Sequence, residues 1–124
     1  MIFLNSLVKV VPNVKKYSDY LFNIQKGTNP LMLSGLTDSA KVHMAYATKF
    51  YSDKPICIIT YNEMQAKRIM KDMEFFDEKV EFFPKRDITS FDYIAESKDS
   101  LYKRISILND IKQKKVGIIV TTIE

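Results

Sequence analysis

Apolar residues recur along this chain at two different periods, and the alternation between them predicts its architecture. The opening is helical in spacing: Leu4, Leu7, Val8 and Val11 share one face, Pro12-Asn13 breaks it, and Val14, Tyr17, Leu21 and Ile24 resume as a second stripe. Gly27 and Asn29-Pro30 end the pattern, because glycine closes a helix readily and proline cannot continue one. Both stripes need a neighbour to pack on, and the pattern does not say whether it is the following sheet or another domain.

Beyond Pro30, short apolar runs alternate with amphipathic segments. Leu31-Met32-Leu33 reads as a short strand, and a helix begins near Asp38 with Ala40, Met44, Ala47 and Tyr51 along its buried side. Ile56-Cys57-Ile58-Ile59-Thr60 reads as a buried strand, Asn62 as the next cap, and Ala66, Ile69, Met70, Met73 and Phe76 as one side of the helix it starts. Val80-Glu81-Phe82-Phe83 is a third strand. Leu101, Ile105, Leu108 and Ile111 mark a further helix before Val116-Gly117-Ile118-Ile119-Val120. Near-continuous apolar strands separated by amphipathic helices predict an α/β fold, a parallel sheet sandwiched by helices on both faces with right-handed crossovers. The expected organisation is an N-terminal helical segment, residues 1–29, packing on an α/β subdomain, residues 30–124.

Composition narrows this only a little. The 124 residues make one domain with a real core, and 46% apolar against 27% charged residues is the balance of a soluble protein. No apolar run approaches the roughly 20 residues of a membrane span. The apolar N-terminus has neither a leading basic region nor a small-residue cleavage site, so a secretory signal is not expected. A single cysteine, Cys57, cannot form an internal disulfide, and a reducing cytoplasm is the simple expectation. The net charge of +4 suits an indirect connection to nucleic acid without demonstrating one. The run Lys112-Gln113-Lys114-Lys115 reads as a helix end that complements the dipole, and Lys85-Arg86 is a weak candidate for phosphate contact.

One segment carries more chemistry than the rest. Leu33-Ser34-Gly35-Leu36-Thr37-Asp38-Ser39-Ala40-Lys41-Val42 follows the spacing of a phosphate-binding loop, G-x-x-x-x-G-K-[ST], with two substitutions. Gly35 and Lys41 keep their places. Ala40 stands where the second glycine lets backbone approach the β-phosphate, and Val42 where a hydroxyl ligates Mg²⁺. Asp38 adds a carboxylate that either repels a triphosphate or turns outward to cap the helix. The segment reads as an inactive loop. The same residues also satisfy a plain strand–turn–helix, which needs only a glycine near the turn and an Asp, Ser or Thr at the cap.

Other candidates are weaker. The connection Pro84 to Ser100 carries Asp87, Phe91, Asp92 and Tyr93, but no histidine completes a metal constellation, and no metal site is expected. His43 is the single histidine; with no nucleophile or orienting partner evident it reads as structural, and no catalytic residue is expected.

Several motifs together resemble a known family. From Met32 to Glu124 the chain is similar to the N-terminal region of the bacterial transcription-repair coupling factor (Mfd), which is related to the excinuclease helicase UvrB. The resemblance rests on Gly35-Leu36-Thr37-Asp38-Ser39-Ala40-Lys41, the strand and helix start Ile58 to Ala66, Phe83-Pro84-Lys85-Arg86-Asp87, Phe91-Asp92, Tyr102-Lys103-Arg104-Ile105 and the closing Val120-Thr121-Thr122-Ile123-Glu124. Arg86 stands where the family usually has tryptophan and Ser90 where it has proline. The stretch after Phe83 is too short for the helicase's long aromatic hairpin.

The resemblance implies a RecA-like, P-loop NTPase-type subdomain with a degenerate loop, in which Gly35, Asp38, Ala40, Lys41 and Val42 are vestigial. It implies a cytoplasmic, non-enzymatic scaffold in transcription-coupled nucleotide excision repair, supporting recruitment of the excinuclease component UvrA and packing against other domains of the same polypeptide. Binding to RNA polymerase and DNA, and ATP with magnesium, would belong to parts of the parent protein outside this chain, including its translocase; no cofactor is expected here. Two alternatives stand beside it: a working nucleotide-binding half in which Lys41 grips phosphate, and a nucleic-acid-binding module using Lys85, Arg86 and the loop aromatics.

Overall fold

The computed structural model describes residue 6 and residues 8–52, 54–76, 79–85 and 98–123. Three strands, β1 (Ile56–Thr60), β2 (Val80–Phe82) and β3 (Ile118–Thr122), form one parallel sheet in the order β1-β3-β2. The last strand is therefore the central one. Ile118 stands opposite both Ile56 and Val80, and Val120 opposite both Ile58 and Phe82, so these six side chains share a face. Cys57, Ile59, Glu81, Ile119 and Thr121 share the other.

The described helices are α1 (Lys15–Gln25), α2 (Asp38–Tyr51), α3 (Glu63–Met73) and α4 (Lys98–Lys112), with 3₁₀ turns at Val11–Asn13 and Glu74–Phe76. Their ends follow the local chemistry. Gly27 takes φ +76°, letting its N–H reach the Ile24 carbonyl while the Thr28 N–H reaches Asn23, each at 3.0 Å, which closes α1. Asn62 Oδ1 accepts from the Gln65 N–H at 2.9 Å, and Gln65 Oε1 accepts from the Tyr61 N–H at 3.2 Å, so the expected Asn62 cap starts α3.

The core lies between the first face of the sheet and the helices. Val8, Val11 and Leu21 from the opening segment pack in one cluster with Val42, Met44, Tyr46 and Ala47 of α2, Met73 of α3 and Ile118 of β3. The opening stripes thus find their neighbour in α2: Tyr20 Oη lies 3.0 Å from Thr48 Oγ1, and Tyr51 Oη donates to the Val8 carbonyl at 3.3 Å. α3 crosses all three strands, burying Ala66 and Met73 as its stripe anticipates.

Two expectations from the sequence are corrected. Leu31-Met32-Leu33 is not a strand: it pairs with nothing among the described residues, and Met32 is 92% exposed. The run is bounded by Pro30, which has no N–H to donate to a ladder, and by the turn at Gly35, at φ +75°. β1 forms where expected but is not buried on both faces: Cys57 is exposed and Ile59 is 64% exposed. As an edge strand, β1 is covered on the side of α3, while its other side is open among the described residues. Partial burial of the Cys57 sulfur still pushes its thiol above the ordinary range, which weakens it as a nucleophile.

α4 forms where the sequence marks a helix, and its buried side is set by other contacts. Leu101, Ile105 and Leu108 are exposed, and Ile107 is the residue buried instead. Arg104 decides this rotation. Its Nη1 donates to the Pro84 carbonyl at 3.0 Å, and its guanidinium sits 4.6 Å from the Phe83 ring centroid. Residues three and seven positions on, Ile107 and Ile111, then lie on the inward side.

His43 is half-buried on α2, its ring stacked on Phe76 at 5.8 Å and 5° between planes. Its Nε2 is buried with no hydrogen-bond partner among the described residues, and burial lowers its pKa from the ordinary value. The folded state thus holds a proton less readily than the unfolded chain, so stability falls as pH drops through about 6.5, the unfolded value. His43→Phe should flatten that loss, measured as the change in urea unfolding free energy between pH 7.5 and 5.5. Met73, fully buried against β3, should cost about 2–5 kcal/mol on substitution by alanine, read from the same urea transitions at neutral pH.

Candidate functional site

The loop before α2 and the start of α3 meet at the carboxyl end of β1, the end of a parallel sheet where α/β proteins usually place their ligands. Thr60, the last residue of β1, is buried, and its Oγ1 lies 3.1 Å from the carbonyls of both Asn62 and Thr121. This anchors the turn into α3. On the neighbouring wall, Thr37 caps α2, its Oγ1 accepting from the Ala40 N–H at 3.3 Å. Of the residues Thr37, Asp38 and Ser39 that could cap this helix, Thr37 is the one that does.

The five loop residues take distinct positions. Gly35 adopts φ +75°, and a Cβ built there would meet no atom within 4 Å, so the turn itself requires the glycine. Ala40 is half-buried on the first turn of α2. Val42 is 3% exposed and points into the core cluster, away from the loop. Lys41 and Asp38 come together on the helix surface: Lys41 Nζ lies 2.9 Å from Asp38 Oδ1. That hydrogen bond, and then the charge of Lys41, hold the Asp38 carboxyl below its usual range, with a further pull from Arg68. An exposed pair at this spacing contributes little to stability.

Between α2 and α3 lies a groove of about 550 Å³. Asp38 and Lys41 form one wall; Tyr61, Met64, Arg68 and Ile69 form the other. Tyr61 and Met64 are 69% and 63% exposed. Sequence reasoning passed over this wall because the buried stripe of α3 draws attention to Ala66, Ile69 and Met73. The missed signal is Met64 and Arg68, one helical turn apart and off that stripe.

The remaining candidates are scattered. Lys85 is exposed just after β2, far along the chain from the loop, while Arg86, Asp87, Phe91, Asp92 and Tyr93 lie outside the described residues. Among the described residues no group of three or more His, Cys, Asp or Glu side chains is placed to hold a metal. No described helix is long and apolar enough to cross a membrane.

No family model matches the chain, and no solved structure gives a significant match. Among curated proteins, it is 24% identical over 115 residues to the transcription-repair-coupling factor of Bacillus subtilis (strain 168), covering 89% of this chain and 10% of that protein. It is 30% identical over 91 residues to the protein of that name from Staphylococcus aureus (strain USA300), covering 72% of this chain and 8% of that protein. The chain thus spans a tenth or less of the length of the curated relatives it matches, and its similarity is to one segment of transcription-repair-coupling factors.

Proposed function

We propose that this chain is a non-catalytic module of a transcription-repair coupling factor, equivalent to its UvrB-related N-terminal region and acting in transcription-coupled nucleotide excision repair. Its three parallel strands are read as part of a RecA-like, P-loop-type sheet whose nucleotide loop has lost its chemistry. The module works as a scaffold: it supports the surface that recruits UvrA and packs against neighbouring domains to restrain them. ATP hydrolysis, DNA translocation and RNA polymerase binding belong, on this reading, to other regions of the parent polypeptide.

The observation that carries the non-catalytic reading is the state of the two residues at the end of the loop. Lys41 has its ammonium on Asp38 at 2.9 Å, and Val42 sends its side chain into the core. A phosphate–magnesium pair needs a hard oxygen ligand at the second of these places, where Val42 has none to give. Similarity to transcription-repair-coupling factors over 72–89% of the chain supports the repair context.

Calorimetric titration with Mg·ATP should give no saturable binding tighter than about 1 mM. Micromolar binding abolished by Lys41→Ala would overturn the non-catalytic reading in favour of a working nucleotide-binding half. Deleting the segment from its gene should remove the template-strand bias in repair of ultraviolet lesions; an unchanged bias would overturn the repair assignment.

A further inference from the structure

The groove between α2 and α3 is not used by the loop chemistry, and its surface has a definite character. Tyr61 and Met64 stand exposed at its mouth, and Ile69 is half-buried along its wall. Exposed aromatic and methionine side chains are the adaptable apolar contacts that protein-binding surfaces favour. Beside them stands Arg68. Among the described residues its guanidinium contacts Met64 Sδ at 3.8 Å, a weak acceptor that leaves most of its five N–H donors facing solvent.

The charges around the groove discriminate between occupants. Asp38 is taken by Lys41, so that pair is neutral as a unit. What remains is Arg68 and Lys71 against Asp72, one positive charge in excess on a mostly apolar surface. Arg68 lies along α3 against Met64, one turn back, and with Asp38 it is among the residues that line the groove. One positive charge in excess is too little to hold the several negative charges of a nucleoside di- or triphosphate, but it suits a single carboxylate, whose planar oxygens match the guanidinium fork.

From this we propose that the groove between α2 and α3 is a docking site for a protein segment that places an aliphatic side chain against Met64 and Ile69 and a carboxylate on Arg68. The inference deepens the scaffold reading by naming a surface through which the module holds a partner, and it rests on that reading. The groove's 550 Å³ accommodates a few side chains rather than a domain face, so the occupant is a short segment.

The test uses the full 124-residue chain, labelled with nitrogen-15, and follows amide resonances on adding blocked peptides. The probes are acetyl-Leu-Glu-Glu-Leu-amide, its Gln and Lys counterparts, and adenosine monophosphate. The Glu peptide should shift resonances across residues 61–72 and near Lys41, with an affinity about tenfold above that of the Gln peptide, the worth of one charged hydrogen bond. Arg68→Glu, at an exposed position, should remove that preference and transfer it to the Lys peptide. Met64→Ser should weaken all three peptides alike.

Equal binding of Glu and Gln peptides, shifts outside the groove, or no peptide binding would overturn the docking inference. If Mg·ATP also fails to bind, the non-catalytic reading survives that result. Adenosine monophosphate or Mg·ATP saturating the groove more tightly than the Glu peptide would overturn both.

Discussion

Everything in this fold hangs on β3. It is the last strand in sequence and the central one in space, paired in parallel with β1 on one edge and β2 on the other. Ile118 and Val120 have no exposed surface, and their partners Ile56, Ile58, Val80 and Phe82 lie on the same face. Parallel pairing cannot form locally, because each strand must be reached through a crossover. The sheet therefore depends on contacts between distant parts of the chain, and α3 packs across all three of its strands.

The carboxyl end of the sheet inherits its geometry from that arrangement. The Ile123 N–H reaches the Thr60 carbonyl at 2.9 Å, and the Thr60 hydroxyl lies between the carbonyls of Asn62 and Thr121. These contacts tie the ends of β1 and β3 together and aim the start of α3. The groove against α2 follows from this, with Tyr61 and Met64 left uncovered at its mouth. The loop beside it keeps the outline of a phosphate site, but its side chains are committed elsewhere: Lys41 to Asp38, and Val42 to the core.

Much of the local structure was legible in the residues. The Gly27 terminator, the Asn62 cap, the buried stripe of α3 and the strands near Ile56, Val80 and Ile118 follow from short-range rules: backbone freedom, capping hydrogen bonds and apolar period. The spacing from Gly35 to Val42 singled out the loop, while the wall formed by Tyr61, Met64 and Arg68 went unremarked. It carries no motif, only an exposed face of a helix whose buried face had already been recognised.

Residue identity and near neighbours were enough for the α/β class, for the order of the helices and of the strands near Ile56, Val80 and Ile118, and for the absence from the loop of a second glycine and a hydroxyl. Tertiary structure alone decided that β3 is central, that Cys57 and Ile59 face outward on an edge strand, that Leu31–Leu33 pairs with no strand among the described residues, and that Arg104 turns Ile107 rather than Leu108 inward. The physical reason is common to all four. Which side of a strand or helix is covered depends on what arrives from distant parts of the chain, and an apolar period records that a face can be buried without recording what will bury it.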